Sequence, residues 1–473
     1  MTTPYYASLD GEVILHHADA LDVLPTLSDA SVDAVVCDPP YGLAELATET
    51  VLQAIAAWMA GDRTHVPDGP GGFMGRNWDR FVPPPGVWDE CLRVLKPGGH
   101  LLAFAGSRTV DLMGLSIRIA GFQLRDTITW HYGSGMPKGI DVSKAIDKAA
   151  GAERKTIGPP RGIGGRDPQQ HQVVPGSEVY TGRWGNRWAA NETAPSTDDA
   201  ARWSGWNTQL KPGAEPIVVA RKSLDGTVAA NVLRHGTGAL NVDGCRTPIG
   251  AADAKAMERA NSPGSARMKP GGSNIGAFSR ASSSGPLDTT AGRWPTNVLL
   301  THSPLLAADG EIIGDACADG CVAGCAVAEM DRQSGVRTSG AMRAGTPRSN
   351  RSGWSGDMPA ETGAETYGDT GGASRFFPIF RYEAKAPASE RPRLPDGTAW
   401  PTVKPLDLMS WLVRLVTPPG GVVLDWCAGT GTTLQAAVAE GMRAIGIERE
   451  QDGADLCVIR LARPVALGLF PAS

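Results

Sequence analysis

The chain has 473 residues, is 41% hydrophobic and 20% charged, and carries a formal net charge of −5. That length allows one large domain with an insertion, and the apolar content supports a sizeable core. No apolar run approaches the length of a membrane span, and eight cysteines in so long a chain are not a disulfide scaffold. No basic stretch followed by an apolar one reads as a secretion signal, so a reducing, cytoplasmic setting is expected. The charge is uneven: residues 151–300 hold 18 Lys+Arg against 12 Asp+Glu, a net +6, which leaves −11 on the rest.

In chain order, Ala34-Val35-Val36-Cys37 reads as a buried strand. It runs into Asp38-Pro39-Pro40-Tyr41. The prolines fix φ and remove two backbone donors, leaving rigid carbonyl oxygen beside a carboxylate and an aromatic face. Such a loop suits a flat amino group that donates two hydrogens while its ring stacks, and the exocyclic amine of a nucleobase fits that description. A Pro-stiffened turn is the plainer reading of the tetrapeptide taken alone. After the Asp126-Thr-Ile-Thr strand, Trp130-His-Tyr-Gly-Ser-Gly-Met-Pro-Lys138 is placed to line the same pocket, or is a structural loop.

From about 151 to 375 the chain is rich in Gly, Ser, Pro and Arg, with few long periodic segments. Trp184, Trp188, Trp203 and Trp206 interleave there with Arg183, Arg187 and Arg202. Trp and Arg together stack on bases and bind phosphates, although the same tryptophans could pack a small irregular domain. Glu215-Pro-Ile-Val-Val-Ala-Arg221-Lys222 reads as a strand returning to the core sheet, and Ala239 to Arg246 as a short strand and turn. Cys317, Cys321 and Cys325 recur every four residues with His302 upstream. Those residue types can hold a structural zinc ion tetrahedrally, or the cysteines are free thiols in a loop.

Near the other end, Gly421-Val-Val-Leu424-Asp425 is a strand and Trp426-Cys-Ala428-Gly429-Thr-Gly431-Thr432 a Gly-rich turn opening a helix. Arg443-Ala-Ile-Gly-Ile-Glu448 is a second strand ending in an acid. This is a Rossmann-like βαβ unit: the glycines let backbone approach a ligand, and an acid roughly 20 residues on can accept ribose hydroxyls. No Gly-Lys-Ser/Thr follows, so it is not a phosphate loop.

Together the Asp38-Pro-Pro-Tyr41 loop and the Asp425 to Gly431 turn resemble the DNA amino-methyltransferases that use S-adenosylmethionine. The catalytic loop precedes the cofactor loop, as in the circularly permuted beta group. The likeness covers roughly residues 10–145 and 375–460. It implies an α/β, Rossmann-like methyltransferase sheet with a large irregular inserted recognition region. Residues 1–150 would form the catalytic half, 151–375 the inserted region and 376–473 the cofactor half. It implies catalysis by Asp38, Pro39, Pro40 and Tyr41. Cofactor contacts are implied for Asp19, Ala20, Phe104, Lys404, Asp425, Ala428, Gly429, Gly431, Thr432 and Glu448. The family often has Pro-Phe after the first-strand acid, where this chain has Trp426-Cys427. The substrate implied is double-stranded DNA, with a base flipped out of the stack. Asp at the head of the loop favours adenine N6, and cytosine N4 is the alternative. An RNA amine or a protein glutamine is less favoured, because those relatives place the cofactor loop first, and a glutamine methyltransferase would need no basic, Trp- and Arg-rich insertion. The transfer itself needs no metal, so a zinc ion at His302, Cys317, Cys321 and Cys325 would be structural.

Overall fold

The computed structural model describes residues 3–72, 75–132, 139–160, 191–247, 292–302, 305–306, 312–314, 325–338, 370–380, 392–397, 400 and 402–463. The described chain divides into two compact units. The larger comprises residues 1–131, 215–302 and 324–473, and the smaller residues 132–214 and 303–323.

The larger unit is built on a ten-stranded sheet. In chain order its strands are β1 (Tyr6–Ala7), β2 (Val13–His17), β3 (Val32–Cys37), β4 (Leu95–Phe104), β5 (Gln123–His131), β6 (Ala214–Arg221), β7 (Val298–Thr301), β8 (Ile379–Phe380), β9 (Val422–Asp425) and β10 (Arg443–Glu448). Across the sheet they run β1-β2-β10-β9-β3-β4-β6-β5-β7-β8. The five neighbours β2, β10, β9, β3 and β4 are all parallel. Helices cross over between them: Pro85–Val94 joins β3 to β4, and Thr432–Ala439 joins β9 to β10.

A sheet covered on both faces needs continuous apolar strands rather than alternating ones, and β3 is buried at every position. Its one charged residue, Asp33, is satisfied in place. Lys96 Nζ reaches Asp33 Oδ1 at 2.6 Å, and the Val422 amide donates to Asp33 Oδ2 at 2.8 Å. This ties the first residues of β3, β4 and β9 together across a sequence gap of 389 positions. The α/β, Rossmann-like fold with the late βαβ unit beside the early strand is therefore realised, Val423 pairing with Ala34 and Leu424 with Val35.

The strand β6 is inserted antiparallel against β4, with Phe104 opposite Ile217 and His100 opposite Arg221. Its beginning consequently lies at the end where the parallel strands finish. The stretch Ala239 to Arg246 contains no strand: it is a turn closed by a short 3₁₀ helix, Asp243–Cys245. Asn241 accepts the Gly244 amide on its side chain, the local bonding by which Asn-x-x-Gly stretches leave the strand conformation.

The smaller unit contains the helices Val142–Ala149 and Asp198–Arg202 and the paired strands Thr156–Pro160 and Asn191–Thr193. Its polar hub is Asp147, fully buried, which takes hydrogen bonds from Arg154, the Ser196 amide, and the Thr197 amide and hydroxyl. Burial opposes the charge, but these donors outweigh it and hold the carboxyl below the usual range.

Candidate active site

Five adjacent parallel strands finish at one edge of the sheet, and each brings a residue singled out in the sequence. Asp19 follows β2, Glu448 ends β10, Asp425 ends β9, Asp38 follows β3 and Phe104 ends β4. Ligands in doubly wound sheets sit beyond the carboxyl ends of the strands, so the topology alone nominates this edge.

The Asp38 loop is held from outside as well as by its prolines. The Asp79 carboxylate, almost fully buried, accepts the amides of Tyr41 at 2.6 Å and Gly42 at 3.1 Å. Thr109 donates its hydroxyl to the Tyr41 carbonyl at 2.5 Å. Gly42 is left-handed at φ 68°, and a Cβ there would lie 2.6 Å from the Val82 nitrogen, so no larger residue fits. Asp79 and Thr109 escape sequence reasoning, because neither sits in a recognisable motif. A buried acid between Trp78 and Arg80 is the only hint the sequence offers.

Four polar groups converge at the loop tip. Tyr41 Oη lies 2.8 Å from Asp38 Oδ1 and 2.9 Å from Glu215 Oε2. Lys404 Nζ donates to Asp38 Oδ2 at 2.6 Å and to Tyr41 Oη at 3.1 Å, and it lies 3.4 Å from Glu215 Oε2. The Phe104 ring stands below it, its centroid 4.7 Å from Nζ. Burial opposes the Lys404 charge, yet Asp38 and Glu215 more than offset it and hold the ammonium above the ordinary lysine value. Burial and the same two carboxylates push the Tyr41 phenol well up, so it stays neutral and can donate. Glu215 is a further site residue that the sequence did not reveal, and it is the second residue of the antiparallel strand β6.

Beside this cluster, the turn after β9 forms a cradle of backbone. Gly429 and Gly431 are both left-handed, at φ 53° and 77°. Among the described residues, a Cβ on Gly429 would meet nothing nearer than the Trp400 indole nitrogen at 3.9 Å. A Cβ on Gly431 would collide with Cys457 Sγ at 2.4 Å, so this glycine packs against the helix Gln451–Leu461. Arg460, buried, donates to the Thr430 carbonyl and to Gln435, fixing the turn from behind. The Ala428 amide bonds the Ile447 carbonyl at 2.9 Å, and Thr432 opens the helix Thr432–Ala439.

Glu448 accepts the Gly429 and Glu450 amides, each at 2.7 Å, and burial raises its pKa. A carboxylate has about four acceptor positions, and with a weaker bond from the Arg449 amide these leave room for a further donor such as a hydroxyl. Asp19 caps the helix Ala20–Val23 through the Leu21 amide and faces Arg449 at 3.8 Å. Trp426 turns into the core, edge-on to Trp88 at 5.5 Å, and Cys427 is the half-buried side chain of the pair. Asp425 is buried and burial pushes its carboxyl up to about 7, against hydrogen bonds from Thr433 and the Cys427 amide. The Gly429 cradle and the two acids therefore fit a nucleoside-bearing ligand.

Trp130 is buried and donates its indole to Thr301 Oγ1 at 2.6 Å, while residues 133–138 of the loop that follows lie outside the described set. Trp184, Trp188, Arg183 and Arg187 also lie outside it, as do Cys317 and Cys321. His302 Nδ1 and Cys325 Sγ are 3.5 Å apart. Among the described residues no group of three or more His, Cys, Asp or Glu could hold a metal ion. No helix among them is long and apolar enough to cross a membrane.

The DNA methylase family model N6_N4_Mtase matches residues 32–154 and 187–458, and the chain belongs to that family. Among curated relatives, YubD of Escherichia coli (strain K12) is 40% identical over 70 residues, 13% of this chain and 31% of that one. The type II methyltransferase M2.LlaDCHI of Lactococcus lactis subsp. cremoris is 27% identical over 131 residues, 28% of this chain and 45% of that one. The match thus spans less than half the length of these relatives. Among solved structures, PvuII DNA methyltransferase, cytosine-N4-specific, is 12% identical with a TM-score of 0.37, over 97% of this chain and 89% of that one. A DNA modification methylase of Thermus thermophilus, complexed with S-adenosyl-L-methionine, is 16% identical with a TM-score of 0.35, over 96% and 94%.

Proposed function

We propose that this chain is a site-specific DNA methyltransferase that moves a methyl group from S-adenosylmethionine to the exocyclic amine of a base flipped out of duplex DNA, adenine N6 by preference. The observation that carries this reading is the juxtaposition at one sheet edge of the Asp38-Pro-Pro-Tyr41 tip with the Gly429 to Gly431 cradle. Membership of the DNA methylase family supports it.

S-adenosylmethionine, when bound, supplies an electrophilic methyl on a sulfonium. Gly429, Gly431, Ala428 and Thr432 would hold it through backbone, Glu448 would accept its ribose hydroxyls and Asp19 would face its adenine. The harder task belongs to the protein. An aromatic amine delocalises its lone pair into the ring, which makes it a poor nucleophile. Asp38 and the Pro39 carbonyl would accept its two hydrogens, drawing the nitrogen toward tetrahedral geometry. Positive charge grows on that nitrogen as its bond to the methyl forms and the methyl–sulfur bond breaks; the Asp38 carboxylate stabilises that charge, and one amine hydrogen would then leave as a proton through Asp38 to water. Tyr41 would lie against the base, and Pro40 stiffens the turn that sets the angle. Much of the remaining rate comes from alignment of the reacting atoms.

For DNA contact, Trp203 and Trp206 meet edge to face at 5.0 Å and are 39% and 61% exposed, with Arg202 preceding them. Large exposed aromatics beside a cation suit stacking on bases. A structural zinc ion is a further part of this reading. Tetrahedral bonds to a sulfur and an imidazole nitrogen put those two atoms about 3.6 Å apart, which the His302 to Cys325 separation of 3.5 Å matches. Metal analysis of the purified protein, with His302→Ala for comparison, tests it: about one zinc per chain, lost in the variant, is expected.

The function is tested by expressing the chain in bacteria that lack DNA methylation and reading modified bases across the genome by single-molecule sequencing. Methylated adenines in one short word, absent with Asp38→Ala, are expected. Methylated cytosines would move the target to N4. Unmodified DNA with soluble, cofactor-binding protein would overturn the reading in favour of an RNA or protein substrate.

A further inference from the structure

Lys404 occupies the carboxylate that the target amine needs. Its Nζ donates to Asp38 Oδ2 at 2.6 Å, as an amine hydrogen of the base would. Tyr41 Oη takes the other oxygen of the same carboxylate, so an entering amine competes with both donors there and shifts the ammonium toward Glu215. The displaced ammonium has little water to turn to, because the Lys404 side chain is only 13% exposed. It does have a second counter-charge, Glu215 Oε2 at 3.4 Å, and a ring beneath it, Phe104 at 4.7 Å. It remains beside the base edge, carrying three donors and no acceptor.

The chemistry of the base decides what such a group can meet. In adenine the atom next to the amino-bearing carbon is N1, and in cytosine it is N3. Both are acceptors only, with a lone pair in the ring plane. That lone pair is not delocalised, so the ring nitrogen is intrinsically a better nucleophile toward an alkyl donor than the amine. An enzyme that methylates the amine must suppress the ring nitrogen, and a buried ammonium beside the acceptor of that amine is a group that can do so while satisfying both.

We propose that Lys404 recognises and caps the ring nitrogen adjacent to the target amine, with Glu215 as the positioning residue that retains the ammonium once the base has displaced it from Asp38. This rests on the methyltransferase reading above. It assigns Lys404 to the base rather than to the cofactor, and gives the acid at the start of β6 a role.

The test uses the full chain and a duplex oligonucleotide bearing the word found by sequencing. The target adenine is replaced by 1-deazaadenine, in which N1 is a C–H (or, for a cytosine target, by 3-deazacytosine). Transfer is measured as kcat/KM for the wild type, Lys404→Met and Glu215→Gln on both duplexes. The wild type is expected to lose about tenfold or more on the deaza duplex, the size of a hydrogen bond to a charged group. Lys404→Met is expected to be slowed on natural DNA but to discriminate little between the two duplexes, and its product to contain ring-methylated base. Glu215→Gln should fall between. Equal wild-type rates on the two duplexes overturn the proposal without recourse to any variant, so misfolding of Lys404→Met cannot obscure the result. A wild type inactive on natural DNA would instead overturn the methyltransferase reading itself, and this proposal with it.

Discussion

Lys404 and Asp38 are 366 positions apart in the chain and 2.6 Å apart in space. The contact exists because β9 lies against β3 and brings the late part of the chain to the early loop. It closes a cluster in which two carboxylates, a phenol and an ammonium satisfy one another. Removing Asp38 leaves Lys404 with Glu215 and takes away the acceptor for the amine. Asp38→Ala is therefore expected to lower methyl transfer by roughly a hundredfold or more, the scale of losing one aimed electrostatic contact. Binding of S-adenosylmethionine, followed by calorimetry, should persist. Near-normal transfer in the variant would show that another group receives the amine.

The cradle predicts the opposite separation. Gly431 is left-handed, and its Cβ direction runs into Cys457 Sγ at 2.4 Å. Gly431→Val would combine strain at positive φ with a clash against a buried helix. Cofactor binding should fall below detection while the secondary-structure signal by circular dichroism survives. If the variant binds cofactor normally, the turn is not the cofactor site.

Some of this was legible in the chain itself. An acid followed by two prolines and a tyrosine at the end of an apolar run marks its own site, because the chemistry is contained in four consecutive residues. The turn from Asp425 to Gly431 is legible for the same reason. Glu215 is not, because its meaning comes from register. Only when β6 enters antiparallel beside β4 do its first residues lie at the finishing edge of the parallel strands. Nothing in Glu215-Pro-Ile-Val-Val states that direction, although an acid heading an apolar strand was a signal that could have been weighed. The family likeness implied Lys404 as a cofactor contact and gave no sign of it as a neighbour of Asp38, since the pairing depends on β9 meeting β3.

Asp425 gives a dependence on pH. Burial pushes its carboxyl up to about 7, whereas in the unfolded chain it titrates near about 4. Below the lower value both states hold the proton and the group contributes its full stability. As pH rises toward 7 the unfolded chain releases the proton first, so this contribution declines, and above 7 it is gone. Asp425→Asn keeps the shape and cannot ionise. Its stability relative to the wild type should thus rise between pH 5 and pH 8, measured by urea unfolding at both. A difference that does not change with pH would mean that Asp425 is already ionised in the folded protein throughout.

The Trp203 and Trp206 pair separates a stacking surface from a packing one. The backbone at Trp206 is tied at both ends, its amide to the Trp203 carbonyl at 3.2 Å and its carbonyl to the Val142 amide at 3.1 Å. The residue is nevertheless 61% exposed. Truncation should spare the fold, since the bonds that order this turn are main-chain. If the ring stacks on a base, Trp206→Ala should weaken duplex binding by about 1–3 kcal/mol, roughly fivefold to 150-fold. The slope of affinity against salt should stay unchanged, because no cation is lost. Arg202→Ala should behave differently, lowering that slope by about one for each phosphate contact it made. Fluorescence anisotropy of a labelled duplex across a salt series reads both quantities. An unchanged affinity in Trp206→Ala would assign the pair to packing within the smaller unit and move DNA contact elsewhere on the chain.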